Sequence, residues 1–183
     1  MKYNSLINFI KSHYPSNEGG FIALHEPILD GKEKEYLINC IDTGYVSTVG
    51  AYVNQFEKQL QNITGAKHAI AMANGTCALH IGLIVSDVTQ DTEVITQPLT
   101  FIATCNAIKY VGAHPVFVDV DVNTMGMCPK ALEKFLQHNT EIRNNVCYNK
   151  KTNRRISACV PMHVFGHACD CLLYTSPSPR DGL

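Results

Sequence analysis

No charge of one sign dominates this sequence. Fifteen lysines and arginines stand against sixteen aspartates and glutamates, for a formal net charge of −1. That leaves no broad basic field to attract nucleic acid or an anionic membrane surface. No apolar run approaches the roughly 20 residues that cross a bilayer. The opening residues, Met-Lys-Tyr-Asn-Ser-Leu-Ile-Asn-Phe-Ile, lack the long apolar stretch and small-residue cleavage site of an export signal. A cytoplasmic location is the resulting expectation. A disulfide framework is absent too, although there are eight cysteines. Cys40, Cys77, Cys105, Cys128, Cys147 and Cys159 fall at irregular intervals through expected helices, strands and loops. Without an export signal they read as reduced thiols.

What is present is the composition of a soluble globular protein. The chain has 183 residues, 45% of them apolar and 17% charged, enough for one domain with a full core. Residues 1–20 read as a short amphipathic helix, with Leu6, Ile7, Phe9 and Ile10 on its apolar side, followed by a Gly-rich connection. A second helix is expected over 31–42, with Tyr36, Leu37, Ile38 and Ile41 as a buried stripe. The loop 45–50 carries Tyr45, Ser47 and Thr48. Helical spacing returns over 52–63 through Val53, Phe56, Leu60 and Ile63, and Gly65 ends it.

The stretch 67–86 organises the rest of the chain. Residues 68–73 form a short apolar run suited to a buried strand, Asn74-Gly75-Thr76 is a tight turn, and from Thr76 the apolar residues recur at helical spacing. Unpaired first-turn N–H groups, the helix dipole and the Thr76 hydroxyl together could hold a phosphate. The tripeptide equally serves as a plain helix cap, with Gly75 easing the turn. Alternation then continues: strand 93–96, helix 102–111, strand 115–120 and helix 129–137. A polar excursion over 139–155, with a hairpin turning at 149–153, leads to a buried strand over 156–161. Such a sequence of units implies an α/β fold of three layers, a mostly parallel sheet with helices on both faces. Ligand sites in such sheets lie at the carboxyl ends of the strands. Gly75, the loop 98–100, Asp119 and His163 all fall at that rim.

Several clusters have ordinary explanations beside chemical ones. His163, His167, Cys169 and Cys171 crowd together, but their spacing matches no common zinc knuckle and Val164-Phe165-Gly166 suggests a turn, so no metal is expected. Asp119 and Asp121 could hold the divalent ion of a nucleotide-sugar glycosyltransferase. A strand running into a turn also ends in Asp for hydrogen-bonding reasons. His80, within the helix after Gly75, reads as a packed side chain. Phe101 could lie over a planar ring or fill the gap between helix and sheet.

Taken in order, five stretches resemble the DegT/DnrJ/EryC1/StrS sugar-nucleotide aminotransferases, pyridoxal-phosphate enzymes of the aspartate aminotransferase fold (type I). They are Ile41-Asp42-Thr43-Gly44-Tyr45-Val46-Ser47, Asn74-Gly75-Thr76-Cys77-Ala78-Leu79-His80, Thr100-Phe101-Ile102-Ala103-Thr104, Pro115-Val116-Phe117-Val118-Asp119-Val120-Asp121 and Val160-Pro161-Met162-His163-Val164-Phe165-Gly166-His167. The N-terminal helix and the insert near Tyr148 resemble the branch acting in legionaminic-acid and related 4-amino-sugar pathways. The resemblance implies that residues 21–170 are part of a large cofactor-binding domain. It implies that Gly75 and Thr76 hold the phosphate of pyridoxal 5′-phosphate, and that Phe101 stacks on its ring. Tyr45, Ser47 and His163 would lie near cofactor or substrate. The reaction would move an amino group from glutamate to a keto carbon of a nucleotide-linked deoxysugar, in a homodimer. The Schiff-base lysine of the family comes after the His163 strand, and no lysine here, Lys109 included, matches it. The expectation is an N-terminal fragment without catalytic residues, inactive and poorly folded. Residues 171–183, with two Ser-Pro pairs, resemble vector or adapter sequence. A non-catalytic protein of the same fold, and an α/β module binding a phosphorylated ligand, are the other readings.

Overall fold

The computed structural model describes residues 3–14, 21–23 and 26–170. The expected connection at 15–20 and the tail from 171 lie outside the described residues. The chain divides into two compact units, Met1–Ala69 and Ile70–Leu183.

The first unit holds three helices, α1 (Asn4–His13), α2 (Glu33–Thr43) and α3 (Ala51–Thr64). Gly44 and Gly65 follow α2 and α3 at φ of 75° and 70°, the left-handed conformation that releases the chain from a helix. Tyr36 of α2 and Tyr52 of α3 meet with ring centroids 4.9 Å apart. The buried stripes expected here do not form. No residue of the three helices is buried, and Phe9, Leu37 and Ile41 are each more than 60% exposed. Periodicity marks the face that seeks cover, but three short helices supply too little surface to provide it.

The second unit begins with α4 (Gly75–Val85) and continues through β1 (Glu93–Thr96), α5 (Ile102–Tyr110), β2 (His114–Phe117) and α6 (Pro129–Asn139). It then runs through β3 (Thr140–Arg143), β4 (Val146–Asn149) and β5 (Ile156–Val160) to a 3-10 turn at Val164–Gly166. β1, β2 and β5 make a parallel sheet in the order β2-β1-β5. All four residues of β1 are buried, as a central strand covered on both sides requires. Successive side chains of a strand leave on opposite faces, and the core divides accordingly. Val94 packs with Leu83, Ala107 and Ile108 of α4 and α5, while Ile95 packs with Met127 and with Leu132 of α6. The unit is therefore the expected three-layer α/β arrangement, part of a domain.

Two local expectations are corrected and a third is extended. Residues 68–73 are not a strand, and Ile70 is 73% exposed. A strand needs a partner for its backbone groups, and no described strand pairs with this stretch. The polar excursion turns at 149–153 as expected, where the Asn153 N–H meets the Asn149 carbonyl at 2.8 Å and Tyr148 bridges Arg155 antiparallel, but it also holds a second hairpin, β3 to β4, turning at Asn144-Asn145. Both asparagines have positive φ, 49° and 61°, which a two-residue hairpin loop demands and asparagine tolerates. Finally, β5 is not fully buried. Among the described residues it is paired on one side only, and Cys159 on it is exposed.

A buried carboxylate ties the hairpin to the sheet. Glu93 opens β1 at 2% exposure. Its oxygens accept from Asn149 Nδ2 at 2.8 Å and from Thr152 Oγ1 at 2.7 Å. Burying that group without such donors would be costly.

Candidate active-site rim

α4 enters β1 through a short turn, and Ala78, Leu79, Gly82 and Leu83 of α4, with Ser86 just after it, flank a groove beside residues 158–160 of β5. The helix therefore runs back along the sheet, with its Gly75 end toward the carboxyl ends of the strands. Asn74, in extended conformation, caps it by accepting the Cys77 N–H on Oδ1 at 2.9 Å. The capping reading of this turn is thus realised. Capping does not use up the helix end. The amides of Gly75 and Thr76, at its first two positions, have no acceptor within the helix. Gly75 is not at positive φ, and a Cβ placed on it meets nothing within 4 Å. Two donor amides at an uncrowded helix end, with half-buried Thr76 supplying a hydroxyl beside them, are the chemistry an anion such as phosphate requires.

The next rim segment follows β1. Gln97 has no exposure at all. Its Nε2 donates to the carbonyls of Leu99 at 2.9 Å and Met125 at 3.3 Å, and its Oε1 accepts the N–H of Met162 at 3.1 Å. One side chain thus ties three rim loops, after β1, after β2 and after β5. Sequence reasoning missed it; the available signal was an amide between the buried run of β1 and Pro98. Phe101 then caps α5, with its carbonyl accepting Thr104 N–H at 3.1 Å. Its side chain is 73% exposed, so it does not fill the gap between helix and sheet. It stands free at the rim, as a stacking platform would.

After β5 comes His163, exposed, with Nδ1 accepting the Cys169 N–H at 3.0 Å. The Cys169 thiol donates to the Met162 carbonyl at 3.0 Å. The crowding of histidine and cysteine here is thus a turn network, and Cys171 lies outside the described residues. Among the described residues no group of three or more His, Cys, Asp or Glu side chains could hold a metal. Asp119 and Asp121 are likewise occupied by backbone. Asp119 Oδ1 accepts Val120 N–H at 2.8 Å, and Asp121 Oδ1 accepts Asn123 and Thr124 N–H at 2.8 and 3.1 Å. Those backbone donors hold the Asp121 carboxyl below its usual range. His80 packs edge-on against Tyr110, ring centroids 5.8 Å apart.

Cys159 lies beside the rim on β5. The residue is exposed, yet its Sγ rests on the Sδ of fully buried Met127 at 3.7 Å, and desolvation there pushes the thiol up to about 11. Gly75, Thr76, Phe101 and His163 all belong to the second unit and to its rim, and no hydrogen bond among described residues joins one of them to another. Tyr45 and Ser47 belong to the first unit, in the exposed loop between α2 and α3. Among the described residues no helix is long and apolar enough to cross a membrane.

Comparison with known proteins gives a consistent result. The profile of the DegT/DnrJ/EryC1/StrS aminotransferase family matches residues 27–173. GDP-perosamine synthase of Caulobacter vibrioides is 37% identical over 149 residues, which are 81% of this chain and 36% of that protein. The putative pyridoxal phosphate-dependent aminotransferase EpsN of Bacillus subtilis is 38% identical over 116 residues, covering 63% of this chain and 30% of EpsN. The crystal structure of a DegT DnrJ EryC1 StrS aminotransferase from Brucella abortus superposes with a TM-score of 0.66 at 30% identity, over 87% of this chain and 42% of that one. The chain thus spans about a third of the length of the curated relatives it matches.

Proposed function

Because the chain belongs to the DegT/DnrJ/EryC1/StrS aminotransferase family, we propose that it forms the N-terminal part of the cofactor domain of a sugar-nucleotide aminotransferase. In this reading residues 21–170 belong to that domain, and the tail 171–183, of which the family match takes in only 171–173, is not native to it. The observation that carries it is the end of α4: two donor amides and the threonine of the first turn, on a helix already capped by Asn74, with nothing within 4 Å of a Cβ placed on Gly75. Gly75 and Thr76 would hold the phosphate of pyridoxal 5′-phosphate there, and Phe101 would cover the ring. When bound, that cofactor supplies the electron sink that lets an amino group pass between glutamate and a keto carbon of the sugar. The protein's share is orientation. The helix end fixes the phosphate by charge and direction, the exposed aromatic fixes the plane of the ring, and Gln97 holds the loops on either side in register. Tyr45, Ser47 and His163 would meet the substrate. A nucleotide-linked 4-keto-6-deoxy-N-acetylhexosamine is the substrate class, as in 4-amino-sugar and legionaminic-acid-type polysaccharides, and the intact enzyme would be a cytoplasmic homodimer.

The anchoring lysine of such an enzyme would lie outside this sequence, so the 183-residue chain would be inactive. The decisive experiment titrates pyridoxal 5′-phosphate into the full-length protein and into its Thr76→Val and Gly75→Val variants, then assays amino transfer from glutamate. Thr76→Val is expected to weaken cofactor binding about tenfold, the loss of one hydrogen bond to a charged group. Gly75→Val, which fills the open space, is expected to abolish it. Undiminished binding in both would overturn the assignment of the phosphate site.

A further inference from the structure

The peptide unit just beyond β5 is held from two sides. Gln97 Oε1 takes the Met162 N–H, and the Cys169 thiol reaches the Met162 carbonyl. Cys169 then turns its own N–H onto Nδ1 of His163. Cys169 is 4% exposed and Gln97 is fully buried. Behind Cys169 stands Gly126, where an added Cβ would collide with the Cys169 sulfur and lie 3.2 Å from its Cβ. So the residue that feeds the histidine ring is itself wedged in place. An imidazole nitrogen that accepts a hydrogen bond carries no proton, which leaves the proton of the neutral ring on Nε2.

We propose that Cys169, Gln97 and Gly126 are positioning residues that fix His163 in its Nε2–H tautomer, presenting at the rim a pre-set donor for a ligand oxygen. The choice of ligand rests on the proposed aminotransferase function; the tautomer does not. Without the Cys169 N–H the two tautomers compete freely, and a ring in the wrong one offers a lone pair to an oxygen and repels it. The acceptor is an oxygen either of the cofactor or of the sugar nucleotide, and the two are separable by experiment.

The test uses the full-length protein with ¹⁵N-labelled histidine, His163 being assigned by the signal lost in His163→Gln. Long-range proton–nitrogen correlation spectra read the tautomer directly. The Nε2–H form should outnumber the other about tenfold, as one well-made hydrogen bond allows. Cys169→Ser keeps both the N–H and a hydroxyl donor and should preserve that pattern. Cys169→Pro removes the N–H, and Gly126→Ala pushes Cys169 from its seat; either variant should bring the two forms toward parity. An Nδ1–H or freely averaging ring in the unmodified protein overturns the proposal. So does an unchanged pattern in whichever of the last two variants folds. Pyridoxal 5′-phosphate alone and UDP-N-acetylglucosamine alone are then added in separate arms. A shift of the Nε2 proton in one arm supports the donor role and assigns its source, while no shift in either arm refutes it. Absence of amino transfer by the same protein would count against the enzyme assignment and leave the tautomer result standing.

Discussion

Asn149 Nδ2 donates to Glu93 Oε2 at 2.8 Å, although the two residues are 56 positions apart. The bond joins the end of the β3–β4 hairpin to the first residue of the central strand, and both partners are buried. Asn149→Ala leaves a buried carboxyl with one donor where it had two. The expected loss is about 2 kcal/mol, in the range for hydrogen bonds to ionisable groups. Asn149→Asp should cost more, since it sets a second carboxyl against the first. Urea unfolding of the three proteins side by side checks both the size and the order of the effects.

The cap of α4 gives a smaller and cleaner signal. Asn74→Ala removes the acceptor of the Cys77 N–H and should cost about 1 kcal/mol, with Asn74→Ser recovering most of it. Thermal melts followed by circular dichroism provide the measurement. Equal stability of all three proteins would mean that the cap contributes nothing.

Cys159 should be the slow thiol of this chain. With its pKa pushed up from 9.0 to about 11, it holds roughly a hundredfold less thiolate at pH 8 than an unperturbed cysteine. Alkylation by iodoacetamide, mapped by mass spectrometry against exposed Cys77, should show that lag. The linkage has a definite sign. The folded-state value lies above the unfolded one, so the stabilising contribution is complete below pH 9 and is lost as pH rises toward 11. Cys159→Ala should remove that alkaline loss.

Asp121 behaves in the opposite sense. Backbone donors from Asn123 and Thr124 hold its carboxyl below the ordinary value of 3.8. The turn it closes is therefore fully stabilised above pH 3.8 and loosens only as pH falls through the lower folded-state value. Amide chemical shifts of Asn123 and Thr124 should titrate together with a midpoint under 3.8. A midpoint at or above that value would contradict the two hydrogen bonds.

How much of this was legible in the sequence depends on the range over which the determining forces act. Glu93–Thr96 was read to the residue, because four buried positions in a row between Asp91 and Pro98 state a central strand locally. The end of α4 was legible for a similar reason, since Asn74-Gly75 carries its own cap. Residues 68–73 failed because strand character lies in a partner and not in the six residues themselves. Of the two turns in the polar excursion, 149–153 was legible and the β3–β4 hairpin was not, because an unbroken polar run hides where strand gives way to turn. Asn144-Asn145 turns through left-handed backbone, while Asn149 closes the later turn with its carbonyl and reaches Glu93 with its side chain. Gln97 was invisible for the same kind of reason. Its three contacts come from residues 2, 28 and 65 positions away, and only the fold brings them together.

The link between Glu93 and the hairpin also bears on time. β1 can pair with β2 after closing a loop of modest length, but its other neighbour, β5, and both ligands of its first side chain arrive only some sixty residues later. Loop closure grows costlier with separation, and long-range pairing is what slows folding. The β1–α5–β2 segment is thus the piece able to nucleate first. The central strand must wait for the hairpin before its buried carboxyl finds its donors, and mutations at Asn149 and Thr152 should speed unfolding more than they slow folding.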